Sequence, residues 1–328
     1  MESFRTEVTI NKAKQLIQYD SNLLFMGSCF ATNIGNYFSE NCFNSRVNPF
    51  GVLYNPLSIA NSLNRLIEGP IFTENEVQYQ HGSYHTFYHH SSFNHADKTT
   101  FLSQVNESFE DGRAFLKKTN YLFITFGTAW VYKHNGSKKV VSNCHKYPAS
   151  TFNRTLLSSS EIVEQYMRLI HSIKSVNPSI NIIFTVSPVR HWKDGAHGNQ
   201  ISKATLLLAI EQLNQSFDNI SYFPAYELLL DDLRDYRFYK DDMLHPSDVA
   251  IQYIRNKFNS AFFNEKAKAF EQTIKVLKKA SEHRPFNIAS EAHQKFVLKH
   301  IDKLNHGQKQ YPLVSLSNLK RKFEDQLM

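Results

Sequence analysis

The chain has 328 residues, of which 41% are apolar, 13% aromatic and 20% charged, with a formal net charge of +7. Twenty-six Phe and 16 Tyr beside only 11 Gly and 10 Pro exclude wholesale disorder and collagen-like or low-complexity sequence. No apolar run approaches the ~18 residues of a membrane span. The N-terminus lacks the apolar core of a signal peptide, and three cysteines are too few for a disulfide framework, so a cytoplasmic protein is expected.

Residues 22–27 form a continuous apolar run, as a strand covered on both faces requires. The run breaks at Gly27-Ser28-Cys29, and Phe30, Ile34, Tyr37 and Phe38 then recur at helical spacing. Ser28 and Cys29 therefore belong to a strand-to-helix turn. A short strand at 44–47 leads into a turn-rich loop over 48–56, and Pro56 suits the first turn of a helix running to Leu66. Residues 72–95 read as a polar, His-rich insertion and a candidate lid. A helix over 97–118 precedes the buried strand 121–126, and a hairpin follows near Asn135-Gly136.

The stripe Ile162, Tyr166, Leu169, Ile170, Ile173 predicts a helix over 159–176. Next come a buried strand at 181–186, a helix over 201–217, a short strand at 220–223 and a helix opened by Pro246. Strand–helix alternation of this kind predicts an open, mostly parallel α/β sheet with helices on both faces. Beyond Ala261 the pattern changes to two Lys-rich amphipathic helices over 264–282 and 290–304, and a loose end after Gly307. The predicted division is an α/β domain over 1–262 and a basic helical extension over 263–328. The extension holds 13 Lys/Arg against 7 Asp/Glu, a net of +6. This leaves 24 against 23, a net of +1, for residues 1–262. The basicity is thus confined to the tail, where it reads as a solvated helical surface. Nucleic acid is not the expected partner, since no zinc-finger or RNA-recognition spacing accompanies the charge, although the tail leaves that contact open.

Ligands of such sheets bind at the carboxyl ends of the strands. Those ends carry Gly27-Ser28-Cys29, the loop 48–55, Gly127-Thr128 and the Ser187-Pro-Val-Arg-His191 segment. Late in the chain, Asp242 lies three residues before His245, a spacing that lets one carboxylate hold an imidazole. A nucleophile on the first strand-to-helix turn is helped by helix N-terminal N–H groups. Arg190 and His191 follow a strand end and are candidates for holding a polar or anionic substrate group. Arg234 and Arg237 read as structural ion-pair partners of nearby acids. Cys144-His145 and the histidines of 81–90 lack the second ligand pair of a zinc site, so no metal is expected there.

Several segments carry a resemblance: Met26-Gly-Ser-Cys-Phe-Ala31, Asn48-Pro-Phe-Gly-Val-Leu-Tyr-Asn-Pro56, Phe126-Gly-Thr-Ala-Trp130, Asn143-Cys-His-Lys146, Ser187-Pro-Val-Arg-His191, Leu233-Arg-Asp-Tyr-Arg-Phe238 and Asp242-Met-Leu-His-Pro246. In that order, over roughly residues 20–260, they resemble the GSCFA-domain family, which is similar to the SGNH/GDSL hydrolases. The resemblance implies a flavodoxin-like three-layer α/β/α sandwich. The superfamily's Asp-x-x-His matches Asp242 and His245. Its early Gly-Asp-Ser turn matches in two registers. In the ungapped register Cys29 takes the nucleophile's place and is favoured; in the other, Ser28 does and Cys29 packs.

The superfamily's oxyanion Asn is replaced by Ala129. Gly51, Asn55, Gly127 and Thr128 are the remaining candidates for oxyanion or substrate contacts. The expected activity is ester hydrolysis or O-acyl transfer on a small acylated, carbohydrate-type substrate. Cys29 or Ser28 would attack, His245 would move the proton, and Asp242 would orient it, with no cofactor. The rival readings are a non-catalytic binding module on the same fold and an interaction protein acting through its basic tail.

Overall fold

A computed structural model describes residues 6–328. Five parallel strands form the central sheet in the order β2-β1-β5-β9-β10: β1 (Leu23–Gly27), β2 (Ser45–Val47), β5 (Tyr121–Phe126), β9 (Asn181–Val186) and β10 (Ile220–Tyr222). Register runs Leu23 to Tyr121 through Gly27 to Thr125, and Tyr121 to Asn181 through Phe126 to Val186. All of β1 and β5 is buried, which is why both read as unbroken apolar runs.

Alternate residues leave the sheet on opposite sides. Leu24, Met26, Leu122, Ile124, Phe126, Ile182 and Phe184 face one core, with side chains from helices α2 (Pro56–Glu68), α3 (Lys98–Leu116), α4 (Ser159–Val176) and α5 (Gly195–Ser216). Leu23, Phe25, Tyr121, Phe123 and Ile183 face a second core, with α1 (Cys29–Glu40) and α7 (Asp248–Phe262). Phe25 stacks on Phe123 at 4.3 Å between ring centroids, joining neighbouring strands of that face. The architecture is an α/β/α sandwich with a parallel sheet.

Two antiparallel pieces sit outside the sheet. The hairpin β3 (Gln78–Gln80) and β4 (Ser83–His85) belongs to the His-rich insertion. Strand β6 (Trp130–His134) pairs with β7 (Val140–Val141) and β8 (Phe152–Leu156). The insertion is less polar than its composition implies. His85 and His89 are buried, and His89 stacks on Phe50 and meets Phe72 edge-on.

After a short helical turn α6 (Ala225–Glu227), the chain passes through α7 into α8 (Glu265–Ser281), α9 (Glu291–Gln310) and α10 (Ser317–Glu324). These last three helices close the second core through Phe270, Ile274, Leu277, Val297, Leu304, Leu319 and Phe323. Buried Glu271 ties them to the sheet layer by accepting hydrogen bonds from the Tyr37 hydroxyl and from Asn259 Nδ2 at 3.0 Å, and it pairs with Lys275 at 3.1 Å. The stretch after Gly307 differs from the loose end read in the sequence. Val314, Leu316, Leu319 and Phe323 are all buried, and they anchor α10. Two other starts also moved: α5 begins at Gly195, six residues early, and α7 begins after Ser247, whose hydroxyl caps Ala250 N at 3.3 Å.

Candidate active site

The site is organised by the end of β1. Gly27 has φ +137°, and a Cβ there would lie 2.2 Å from Thr125 O, so only glycine lets β1 close on β5 at this point. Its N–H donates to Asn48 Oδ1 at 2.7 Å, and Asn48 Nδ2 donates to Thr32 Oγ1 at 2.9 Å, which fixes the loop after β2 against the turn. Ser28 caps α1: its Oγ accepts from Phe30 N at 3.3 Å, and its own N–H donates to Thr125 O at 3.3 Å. Ser28 is 2% exposed. Cys29, the first residue of α1, is only partly buried. Burial pushes its thiol up. The N–H groups of Phe30 and of Cys29 itself, and the charge of Lys203, pull it back.

The chain leaving β5 runs beside the loop after β2. Gly127 N and Thr128 N both donate to Tyr54 O, at 2.7 and 3.0 Å. Gly51 N donates to Asn48 O at 2.7 Å. Asn55 caps α2, taking Ser58 N at 2.8 Å on Oδ1 and giving Nδ2 to Ser58 Oγ at 3.0 Å. Each of these four polar groups is thus engaged within the protein fold.

Lys203 of α5 is 1% exposed, and its Nζ donates to Gly127 O at 2.8 Å and Ser187 O at 2.7 Å. Burial lowers its amine to about 7, and the neighbouring Cys29 acts in the opposite direction. His191 presents its ring edge-on to Tyr54 at 5.7 Å, and Asn199 Oδ1 accepts the His191 N–H at 3.0 Å. Burial, followed by the positive charge of Lys203, lowers that imidazole to about 4. Burial also raises the Tyr54 phenol, with Cys29 adding to the effect. Cys29, Tyr54, His191 and Lys203 are thus electrostatic neighbours.

Asp242 and His245 are joined as their spacing requires. Asp242 Oδ2 lies 2.5 Å from His245 Nδ1, while Oδ1 accepts the N–H groups of Leu244 and His245, each at 2.9 Å. Those two backbone donors, ahead of the imidazole, hold the carboxylate down to about 2. The pair is half exposed. Among the described residues, no hydrogen bond links His245 to Ser28 or Cys29. The His245 loop borders the end of β9 through Tyr239, which bridges to Pro246 and whose burial-raised phenol feels Arg190. Arg190 also lies 5.1 Å from the ring of Trp192.

Arg234 and Arg237 pair with Asp231 at 3.0 Å and Asp235 at 3.7 Å on the exposed rim. His145 is buried, stacks on His85 at 4.2 Å and places Nε2 2.9 Å from Thr86 O. Burial pushes the Cys144 thiol up to about 11. No group of three or more His, Cys, Asp or Glu side chains among the described residues is arranged to hold a metal ion.

Sequence reasoning missed Lys203 and Ser202, and it included Asn48 and Tyr54 only as part of the loop 48–55, without a role for either. For Lys203 a signal existed: it lies on the buried stripe of α5 with Ser202, Leu206, Ala209, Ile210 and Leu213, where a cation is out of place. Ser202 is buried beside it, accepting Ala129 N at 2.8 Å.

Residues 22–258 match the GSCFA family, and residues 274–328 match the GSCFA domain protein, C-terminal domain. No curated protein matches the chain. Similar solved structures include a carbohydrate esterase family 3 protein from Talaromyces cellulolyticus, at 13% identity, covering 48% of this chain and 60% of that one, with a TM-score of 0.26. Another is an acetyl xylan esterase from the rumen bacterium Butyrivibrio proteoclasticus, at 11% identity, covering 80% of this chain and 64% of that one, with a TM-score of 0.34. The match thus spans less than two thirds of either of those proteins.

Proposed function

We propose that this chain, which belongs to the GSCFA family, transfers an acyl group from a small ester to water or to a hydroxyl acceptor, with Cys29 as the nucleophile. The observation that carries this reading is the position of Cys29. It is a partly accessible thiol at the carboxyl end of a parallel strand and the N-terminus of α1, facing the amides of that first turn. Ser28 is the weaker nucleophile candidate, because its hydroxyl is buried and already caps the helix.

In the proposed reaction His245 takes the Cys29 thiol proton as the sulfur attacks the ester carbonyl and forms an S–C bond. The alkoxide leaves, taking a proton from His245, whose ring is oriented by Asp242. Water or a sugar hydroxyl then attacks the thioester, giving its proton to His245, which passes it to the departing sulfur and frees the thiol. In this reading Arg190 and His191 contact the substrate, and the half-exposed Trp192, whose ring lies 5.1 Å from the Arg190 guanidinium, offers an aromatic face of the kind that packs against a sugar ring. Gly51, Asn55, Gly127 and Thr128 are better read as scaffold for the strand ends, since their polar groups are already engaged.

That same engagement favours one rival, a binding module on this fold. With the four expected donors occupied, oxyanion stabilisation falls to the first turn of α1. The distinguishing experiment is intact-protein mass after incubation with a panel of acyl-ester probes. The catalytic reading expects an acyl adduct on wild type and Ser28→Ala and none on Cys29→Ala. Loss of the adduct in Ser28→Ala alone moves the nucleophile to Ser28, and no adduct on any folded sample supports the binding module.

A further inference from the structure

The buried face of α5 changes character along its length. Leu206, Ala209, Ile210 and Leu213 pack into the first core, but the same face begins with Asn199, Ser202 and Lys203, each 1% exposed. Their i, i+3, i+4 spacing sets the three side by side. Burying polar side chains is unfavourable unless each is paired. We infer that these three are positioning residues, a clamp that holds the chain leaving β5 and the chain leaving β9 and so sets Arg190 and His191 to receive the substrate. The inference rests on the proposed reading, in which Arg190 and His191 contact the substrate.

The clamp is made of direct hydrogen bonds. The ladder between β5 and β9 ends at Phe126 and Val186, closed by Ser187 N donating to Phe126 O at 2.8 Å. Backbone groups beyond that point need other partners. Asn199 Oδ1 accepts the His191 N–H at 3.0 Å. Ser202 Oγ accepts the Ala129 N–H at 2.8 Å and lies 3.1 Å from Thr128 Oγ1. Lys203 Nζ reaches both segments, donating to Gly127 O at 2.8 Å and to Ser187 O at 2.7 Å.

The two segments meet again at Tyr54. Its carbonyl accepts the Gly127 and Thr128 N–H groups, and its ring faces that of His191 edge-on at 5.7 Å. Arg190 lies between the two held points of its segment, Ser187 and His191. On an open loop water would satisfy the same backbone groups and leave Arg190 and His191 free to move. Side chains from a rigid helix fix them instead, as a binding constellation requires.

The experiment has one readout with substrate and one without. Steady-state hydrolysis is measured on glucose pentaacetate and on p-nitrophenyl acetate, which has no sugar for Arg190 and His191 to hold. The loss caused by Asn199→Ala is expected to be about tenfold greater on the sugar ester, and to fall on KM rather than kcat. Equal losses on the two esters, or a loss confined to kcat, overturn the proposal. Backbone hydrogen exchange of the full chain needs no substrate, so it decides the clamp even where no ester is turned over, the outcome that counts against acyl transfer. In the wild type the Ala129 and His191 amides are expected to exchange slowly, and fast exchange at either overturns the proposal without any variant. Asn199→Ala is expected to speed exchange at His191 by about tenfold or more, Ser202→Ala at Ala129, and Lys203→Met at both. Uniform acceleration along the chain in all three variants shows a purely structural role and overturns it.

Discussion

Gly27→Ala tests whether the closure of β1 on β5 places the site. Two costs add. The residue sits at φ +137°, where a side chain costs about 1–3 kcal/mol. The new Cβ would also lie 2.2 Å from Thr125 O and 2.9 Å from Thr125 N, both backbone atoms of a buried central strand. Relief requires β1 to move away by about 1 Å, which weakens hydrogen bonds worth about 1 kcal/mol each on the ladder with β5. The expected total is about 3–5 kcal/mol. For a chain of this size that is a fall in Tm of roughly 6–15 °C, accompanied by a change in Cys29 alkylation rate. Gly82→Ala is the control: its φ is +75°, and a Cβ there meets nothing within 4 Å, so it carries the backbone cost alone. Thermal melts of the two variants side by side isolate the close approach. Equal melting temperatures would refute the argument that the gap between β1 and Thr125 is fixed by the missing side chain.

Asp242→Asn is expected to lower acyl turnover by roughly 10²–10⁴-fold, measured on an activated ester. The amide nitrogen would face His245 Nδ1 and force the other tautomer. The carboxylate is held down to about 2, so its support of His245 is present above the ordinary carboxylate value and is lost only as pH falls through about 2. An acid limb of activity near pH 4 therefore does not belong to Asp242. His89 and His145 are lowered by burial to about 3 and about 4. The unfolded chain takes up protons at these positions first, so folding stability falls as pH drops from about 6.5 toward 4; urea titrations at pH 7 and 5 measure this, and equal midpoints would contradict it. Phe323→Ala, at a fully buried position in α10, is expected to cost about 3–5 kcal/mol by equilibrium denaturation. A loss below about 1 kcal/mol would mean that the C-terminal helices do not share the second core.

The central strands were legible because burial on both faces leaves continuous apolar runs. The strands at 121–126 and 181–186 and the helix at 159–176 have the bounds read in the sequence. Less visible was α10, where two buried residues, Leu319 and Phe323, carry a short basic helix. Strand β8 was also hidden, since only Phe152 of its five residues is buried. In the candidate site, the local motifs Gly27-Ser28-Cys29 and Asp242-x-x-His245 were readable because a strand end and an i, i+3 pair are local. The occupancy of the Gly127 and Thr128 amides was not, because it depends on where the Tyr54 carbonyl points.

Two residues depart from the pattern of their own element: Gly27 interrupts an apolar strand, and Lys203 interrupts the buried stripe of α5. Each is unfavourable by local rules, since glycine weakens a strand and a buried cation loses its hydration. Both departures fall at the end of β5, one admitting β1 against Thr125 O and the other holding Gly127 O. Departures from local consistency are expected where a site demands them. Their convergence around Cys29 is a stronger pointer to the site than either motif alone, because packing alone would put a larger apolar side chain at both positions.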